Sequence, residues 1–103
     1  MTEYLAPRTA VEEVMASIWI EVFQISRVGV SDNFFDLGGN SLAAMQIVAR
    51  VCRMLRAEVS LFQLFDAPTV AELSAIVVAK ELRPGQAERI AEFARTLDRS
   101  EGR

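Results

Sequence analysis

Leu37-Gly38-Gly39-Asn40-Ser41-Leu42 is the stretch of this chain best equipped for chemistry, because two glycines lead the backbone to the start of a helix that carries a hydroxyl. Two readings compete for that hydroxyl. In the first, Ser41, or Asn40 beside it, is an N-cap whose side-chain oxygen accepts a backbone N–H, worth about 1 kcal/mol. In the second, Ser41 carries an anionic group, which the free N–H groups and the positive helix end favour by about 0.3 to 1 kcal/mol. The glycines would also let another protein approach closely.

Other uses of glycine and serine fail on their own requirements. A phosphate-binding P-loop needs Lys beside the Ser or Thr, and a hydrolase elbow needs Gly-x-Ser-x-Gly. Here Asn40 precedes Ser41, and Leu42 and Ala43 follow it. The chain has no histidine, which removes the commonest general base and the commonest metal ligand. The remaining bases are carboxylates such as Asp36, and Lys80, the single lysine. Whatever activates Ser41 is therefore expected to come from another protein, and the chain is expected not to be an enzyme.

Composition narrows the class further. A length of 103 residues suits one small domain with a single core. Apolar residues make up 51% and charged ones 24%, a balance that belongs to a folded globular chain. A net charge of −3 speaks against sequence-independent nucleic-acid binding, which rests on Lys and Arg neutralising phosphates. No apolar run approaches the roughly 20 residues needed to cross a bilayer, and the first residues lack a secretory pattern. The expectation is a cytoplasmic, monomeric domain without nucleic-acid or membrane partners. Cys52 is the single cysteine, so no internal disulfide forms, and it reads as a small buried hydrophobe.

Periodicity supplies the elements that must position Ser41. Thr9-Ala10-Val11-Glu12 has capping-box spacing, and Val11, Val14, Met15, Ile18, Trp19, Val22 and Phe23 form an apolar stripe. They predict a helix from near Thr9 to around Ile25. Between Ser26 and Asn40 turn formers accumulate, yet Val28, Val30, Phe34, Phe35 and Leu37 are too apolar for a solvated linker. A long loop pinned to the core is expected. The helix after the glycine pair has one face of Ala44, Ile47, Val48, Val51 and Leu55, and a neighbouring one of Leu42, Met45, Ala49 and Cys52. So wide an arc exceeds one core contact, which leaves part of it for a partner.

Ser60-Leu61-Phe62-Gln63 and Thr69-Val70-Ala71-Glu72 repeat the capping pattern. The first starts a short helix stopped by Pro68, the second a longer one to about Leu82. Beyond Pro84-Gly85, Ala87, Ile90, Ala91, Ala94 and Leu97 line one face of a charged segment that reads either as a further helix, marginal by itself, or as a disordered tail. The expected organisation is a linker at 1–8, one domain at 9–82 and a linker or tail at 83–103.

The run Asp32-Asn33-Phe34-Phe35-Asp36-Leu37-Gly38-Gly39-Asn40-Ser41-Leu42 resembles the attachment motif of peptidyl carrier (thiolation) domains in nonribosomal peptide synthetases. Tyr4-Leu5-Ala6-Pro7-Arg8-Thr9 resembles the linker that follows an adenylation domain, and Leu64 to Leu73 resembles the carrier's last two helices. The resemblance covers about residues 4 to 82. It implies an all-α four-helix bundle, three longer helices and one short, and a 4′-phosphopantetheine arm from coenzyme A on Ser41. Gly38, Gly39, Asn40 and Leu42 would frame that arm. The implied partners are a phosphopantetheinyl transferase that works with magnesium, an adenylation domain, and condensation, tailoring or thioesterase domains.

One position departs from the commoner pattern: Asn40 stands where such motifs more often place His or Asp. It leaves the serine untouched and leaves open which downstream domain is served. Residues 37–57 hold Arg50, Arg53 and Arg56 and no Asp or Glu, which favours the peptidyl branch over acyl carriers of polyketide or fatty-acid pathways. Met45, Phe34, Arg50 and Arg53 are the expected partner surface. An unmodified helical adaptor is the alternative from another class.

Overall fold

The computed structural model describes residues 3–101. Five helices follow one another: α1 (Ala10–Phe23), α2 (Ser41–Leu55), α3 (Leu61–Asp66), α4 (Val70–Ala79) and α5 (Gln86–Glu101). No strand occurs among the described residues, so the all-α expectation holds. None of these helices is long and apolar enough to cross a membrane.

α1 is the central element, packing on α2, α4 and α5. Of its stripe, Val22 and Phe23 in the last turn are half-buried against the core, while Val11, Val14, Met15, Ile18 and Trp19 are buried. Burial of each such side chain stabilises the fold by about 1.5 to 3 kcal/mol. The helix ends at Phe23, two residues before the expected Ile25. Gln24 turns left-handed at φ 56° and its N–H donates to the Ile20 carbonyl, which closes the last turn. On α2 the buried residues are Ala44, Ile47, Val51 and Leu55, spaced to face α1.

Three capping boxes were expected, and the side chains settle them differently. At Ser60 both halves form, with Gln63 N–H donating to Ser60 Oγ at 3.1 Å and Ser60 N–H to Gln63 Oε1 at 3.0 Å. Thr69 accepts from Glu72 N–H, but its hydroxyl also donates to Glu72 Oε1. Thr9 accepts from Glu12 N–H, while the Glu12 carboxylate reaches one residue further back, to Arg8 N–H and the Arg8 guanidinium. α4 stops at Ala79 rather than near Leu82, and Lys80 turns its ammonium to the Glu58 carbonyl.

The segment after Gly85 is part of the bundle. Ala87 and Ala91, both small and one turn apart, are buried and let α5 approach α1 closely. Glu88 Oε1 accepts from Val11 N–H at 3.0 Å, and Arg95 pairs with Glu13 and Glu92. Glu81 closes the start of α5 by accepting from Gly85 and Ala87 N–H. Alone the segment is marginal; against α1 its Ala87 and Ala91 side is covered.

Candidate functional site

Ser41 is the first residue of α2 and is exposed. The capping role falls to Asn40, whose backbone is extended (φ −142°, ψ −177°) and whose Oδ1 accepts from Ala43 N–H at 2.9 Å. Of the two readings of Ser41, the cap is thus taken by its neighbour. Among the described residues the Ser41 hydroxyl has no hydrogen-bond partner, and no acidic residue stands in the first turn of α2. A hydroxyl at the positive end of a helix of 15 residues, facing solvent, is placed to receive an anion.

The two glycines before it are required for different reasons. Gly38 has φ +92°, a backbone state that side chains disfavour, although an added Cβ would meet nothing. Gly39 has no such torsion, but a Cβ there would collide with the Phe34 ring. The chain passes directly over that ring on its way into α2, and Gly39 N–H donates to the Phe34 carbonyl at 3.0 Å.

Phe34 was expected on the partner surface; instead it is fully buried. Its ring makes edge contacts with Trp19 and Phe23 of α1, at centroid distances of 6.0 and 5.6 Å, and lies 6.3 Å from Phe65 of α3. Its N–H donates to the Pro68 carbonyl at 2.6 Å. The long loop needs an apolar anchor, and only one of two adjacent phenylalanines can point inward. Phe35 is the outward one, 50% exposed and packed beside Phe65 with centroids 5.9 Å apart. The Phe34-Phe35 doublet was the signal for this exposed aromatic, but it did not say which ring faced out.

Further pins hold the loop. Gly29 N–H donates to Asp32 Oδ2 and Phe35 N–H to Asn33 Oδ1, so the carboxylate and the amide each close a local turn. Ala71 N–H of α4 donates to the Val30 carbonyl, and Val30 N–H to the Leu5 carbonyl. Residues 4 and 5 therefore lie against the loop, where Arg27 stacks 3.9 Å above the Tyr4 ring.

The remaining expected positions separate into two groups. Leu42 and Met45, one turn apart, are exposed beside Ser41. Arg50 is half-buried and paired with Glu21, which leaves it poorly available to a partner. Arg53 is exposed near the far end of α2. Cys52 is half-buried with its Sγ 3.7 Å from the Val59 carbonyl. Among the described residues no cluster of acidic or cysteine side chains is arranged to hold a metal.

Residues 13–77 match the protein family described as the phosphopantetheine attachment site. The chain is 46% identical over 80 residues to tyrocidine synthase 3 of Brevibacillus parabrevis, an alignment covering 78% of this chain and 1% of that protein. It therefore spans a very small part of that relative. Among solved structures it resembles a chain in the complex of the phosphopantetheine transferase Sfp with coenzyme A and a peptidyl carrier protein. There the identity is 42% and the TM-score 0.72, over 75% of this chain and 100% of that one. It also resembles part of holo-AB3403, a four-domain nonribosomal peptide synthetase bound to AMP and glycine. That match has 33% identity and a TM-score of 0.76, over 82% of this chain and 6% of that one.

Proposed function

The chain belongs to the phosphopantetheine attachment site family, and from that premise we propose that it is a peptidyl carrier domain whose arm is joined to Ser41. One observation carries the assignment: at the mouth of α2 Asn40 does the capping, so the Ser41 hydroxyl stands outward with no internal partner among the described residues. Gly38, Gly39 and Leu42 frame the approach to it.

In this reading a phosphopantetheinyl transferase directs Ser41 Oγ at the pantetheine-bearing phosphorus of coenzyme A. A phosphodiester forms, the pyrophosphate bond breaks, adenosine 3′,5′-bisphosphate leaves, and the serine proton passes to a base of the transferase. This chain has no histidine to act as that base. The thiol of the attached arm holds an aminoacyl or peptidyl group as a thioester. The chain's own contribution is mechanical: a rigid helix end fixes the anchor, while the tether raises the cargo's effective concentration at successive partner sites.

Loading falls to an adenylation domain and release to condensation, tailoring or thioesterase domains. Residues 9–82 form the carrier unit in this scheme, with 1–8 and 83–103 joining it to neighbours. The absence of Asp and Glu from residues 37–57 supports the peptidyl branch over an acyl carrier.

Intact-mass measurement tests the assignment. Incubation with coenzyme A and a broad-specificity transferase is expected to add one phosphopantetheine to the chain and none to Ser41→Ala. An unchanged mass under conditions that modify a control carrier, or addition to the Ser41→Ala chain, would overturn it.

A further inference from the structure

A groove of about 700 Å³ lies between α1, the last turn of α2 and α5. It is open to solvent along one side. Ile18 and Met54 line it from α1 and α2. From α5 it takes Ile90, Phe93, Ala94 and Leu97, which recur at i, i+3, i+4 and i+7 and so form a continuous stripe. α5 is apolar on two faces. The inner one, Ala87 and Ala91, is buried in the bundle, whereas Phe93 and Leu97 remain 64% and 44% exposed. Core packing explains the first face and leaves the second without a role.

The charges at the rim are unequal. Arg53 of α2 and Arg56 directly after that helix line the groove, are exposed, and have no carboxylate within ion-pair distance among the described side chains. Elsewhere Arg8 pairs with Glu12, Arg50 with Glu21 and Arg95 with Glu13 and Glu92, whereas Arg27, Arg83 and Arg89, which do not line the groove, have no ion pair among the described side chains. Glu21 is the acidic residue lining the groove, and Arg50 already holds it. An apolar trough edged by two positive charges that no described carboxylate answers is complementary to an apolar stripe flanked by carboxylates.

We propose that this groove docks an acidic amphipathic helix of a partner protein. The helix lies along α5, sets its apolar residues against Phe93 and Leu97, and directs carboxylates to Arg53 and Arg56. An open trough walled by helices suits a helix, whereas a fatty acyl chain calls for an enclosed apolar pocket. The groove is independent of the arm. Arg53 lies twelve residues beyond Ser41 on the same helix, about 18 Å at the rise of an α-helix. A partner seated there leaves Ser41 free and keeps the arm close to that partner.

Fluorescence anisotropy with the full chain tests this. The probe is a labelled peptide of about four turns with leucines at helical i, i+3, i+4 and i+7 spacing and glutamates elsewhere. Binding is expected to weaken at least tenfold in Arg53→Glu/Arg56→Glu and in Phe93→Ser, and to stay unchanged in Ser41→Ala. A matched peptide with lysine for glutamate should bind wild type weakly and the charge-reversed protein better. All substituted residues are exposed, and circular dichroism melting checks that each variant is folded. The proposal is overturned if acidic and basic peptides bind wild type alike, if affinity survives both groove variants, or if the chain prefers anionic phosphatidylglycerol vesicles to the peptide. Since Ser41→Ala is expected to bind normally, failure here is distinguishable from failure of the carrier assignment.

Discussion

At the start of α1, Thr9 accepts from Glu12 N–H, Glu88 of α5 accepts from Val11 N–H, and Glu12 and Glu13 bring two carboxylates into the first turn. At the start of α2, Asn40 accepts from Ala43 N–H, no carboxylate stands in the first turn, and Ser41 projects to solvent. Both helices have the positive end that aligned peptide dipoles create. In α1 that end is answered internally, by its own side chains and by a helix from the far end of the chain. In α2 it is left open to an incoming anion. The contrast separates a terminus finished for stability from one kept available for attachment, and it supports the carrier reading without appeal to the serine alone.

Breaking the approach to α2 should have the largest effect on this comparison. Gly39→Ala sets a methyl group against the buried Phe34 ring, which Trp19 and Phe23 hold in place. Overpacking of this kind costs about 1 to 3 kcal/mol. Urea unfolding should show the loss, and the rate of phosphopantetheinylation should fall as the turn before Ser41 is displaced. Equal stability and equal rate would mean that the passage over Phe34 does not hold the site.

A smaller effect is expected at the cap. Asn40→Ala removes the acceptor for Ala43 N–H and should cost about 1 kcal/mol, while Asn40→Ser should restore most of it. Thermal melting of the two variants measures the difference. If Asn40→Ala is neutral, another group caps α2, and Asn40 is not what leaves the Ser41 hydroxyl free.

The subtlest test concerns acid. Glu12 is buried, and its hydrogen bond from the Arg8 side chain, helped by backbone N–H donors, holds its carboxyl below the usual glutamate range against the opposing effect of burial. A carboxyl depressed in the folded state stabilises fully above its unfolded pKa, and that contribution is lost as pH falls through the folded value. Wild type should therefore lose melting temperature on acidification more steeply than Glu12→Gln, whose side chain does not titrate. The Asn40 cap is neutral, so Asn40→Ala should shift the melting temperature by a similar amount at neutral and acidic pH. Parallel acid limbs for wild type and Glu12→Gln would refute the assignment of this sensitivity to the start of α1.

The local elements were legible because their causes are local. Apolar spacing placed α1 and α2, Ser60 and Gln63 announced α3, and Thr69 announced α4 after Pro68. Asn40 and Ser41 were both recognised at a helix mouth, though spacing alone did not divide the roles between them. Prediction was weaker wherever two equivalent side chains competed for one place. Phe34 and Phe35 have the same chemistry, and the inward choice depends on the gap among Trp19, Phe23 and Phe65. Leu97, which the spacing puts on one face with Ala87 and Ala91, is 44% exposed, because Ala87 and Ala91 are the residues small enough for close approach to α1.

Sequence by itself determined the helices, their starts, and a hydroxyl following a flexible glycine pair, since these follow from torsions, capping hydrogen bonds and periodicity within a few residues. Tertiary structure decided which phenylalanine anchors the loop, that α5 folds back to complete α1, and which arginines line a groove with no ion pair among the described side chains. Those outcomes depend on groups as far apart as Val11 and Glu88, or Glu13 and Arg95. Contacts of that range form only when the whole bundle closes, because burial of a shared apolar surface sets them and no short stretch of chain contains that surface.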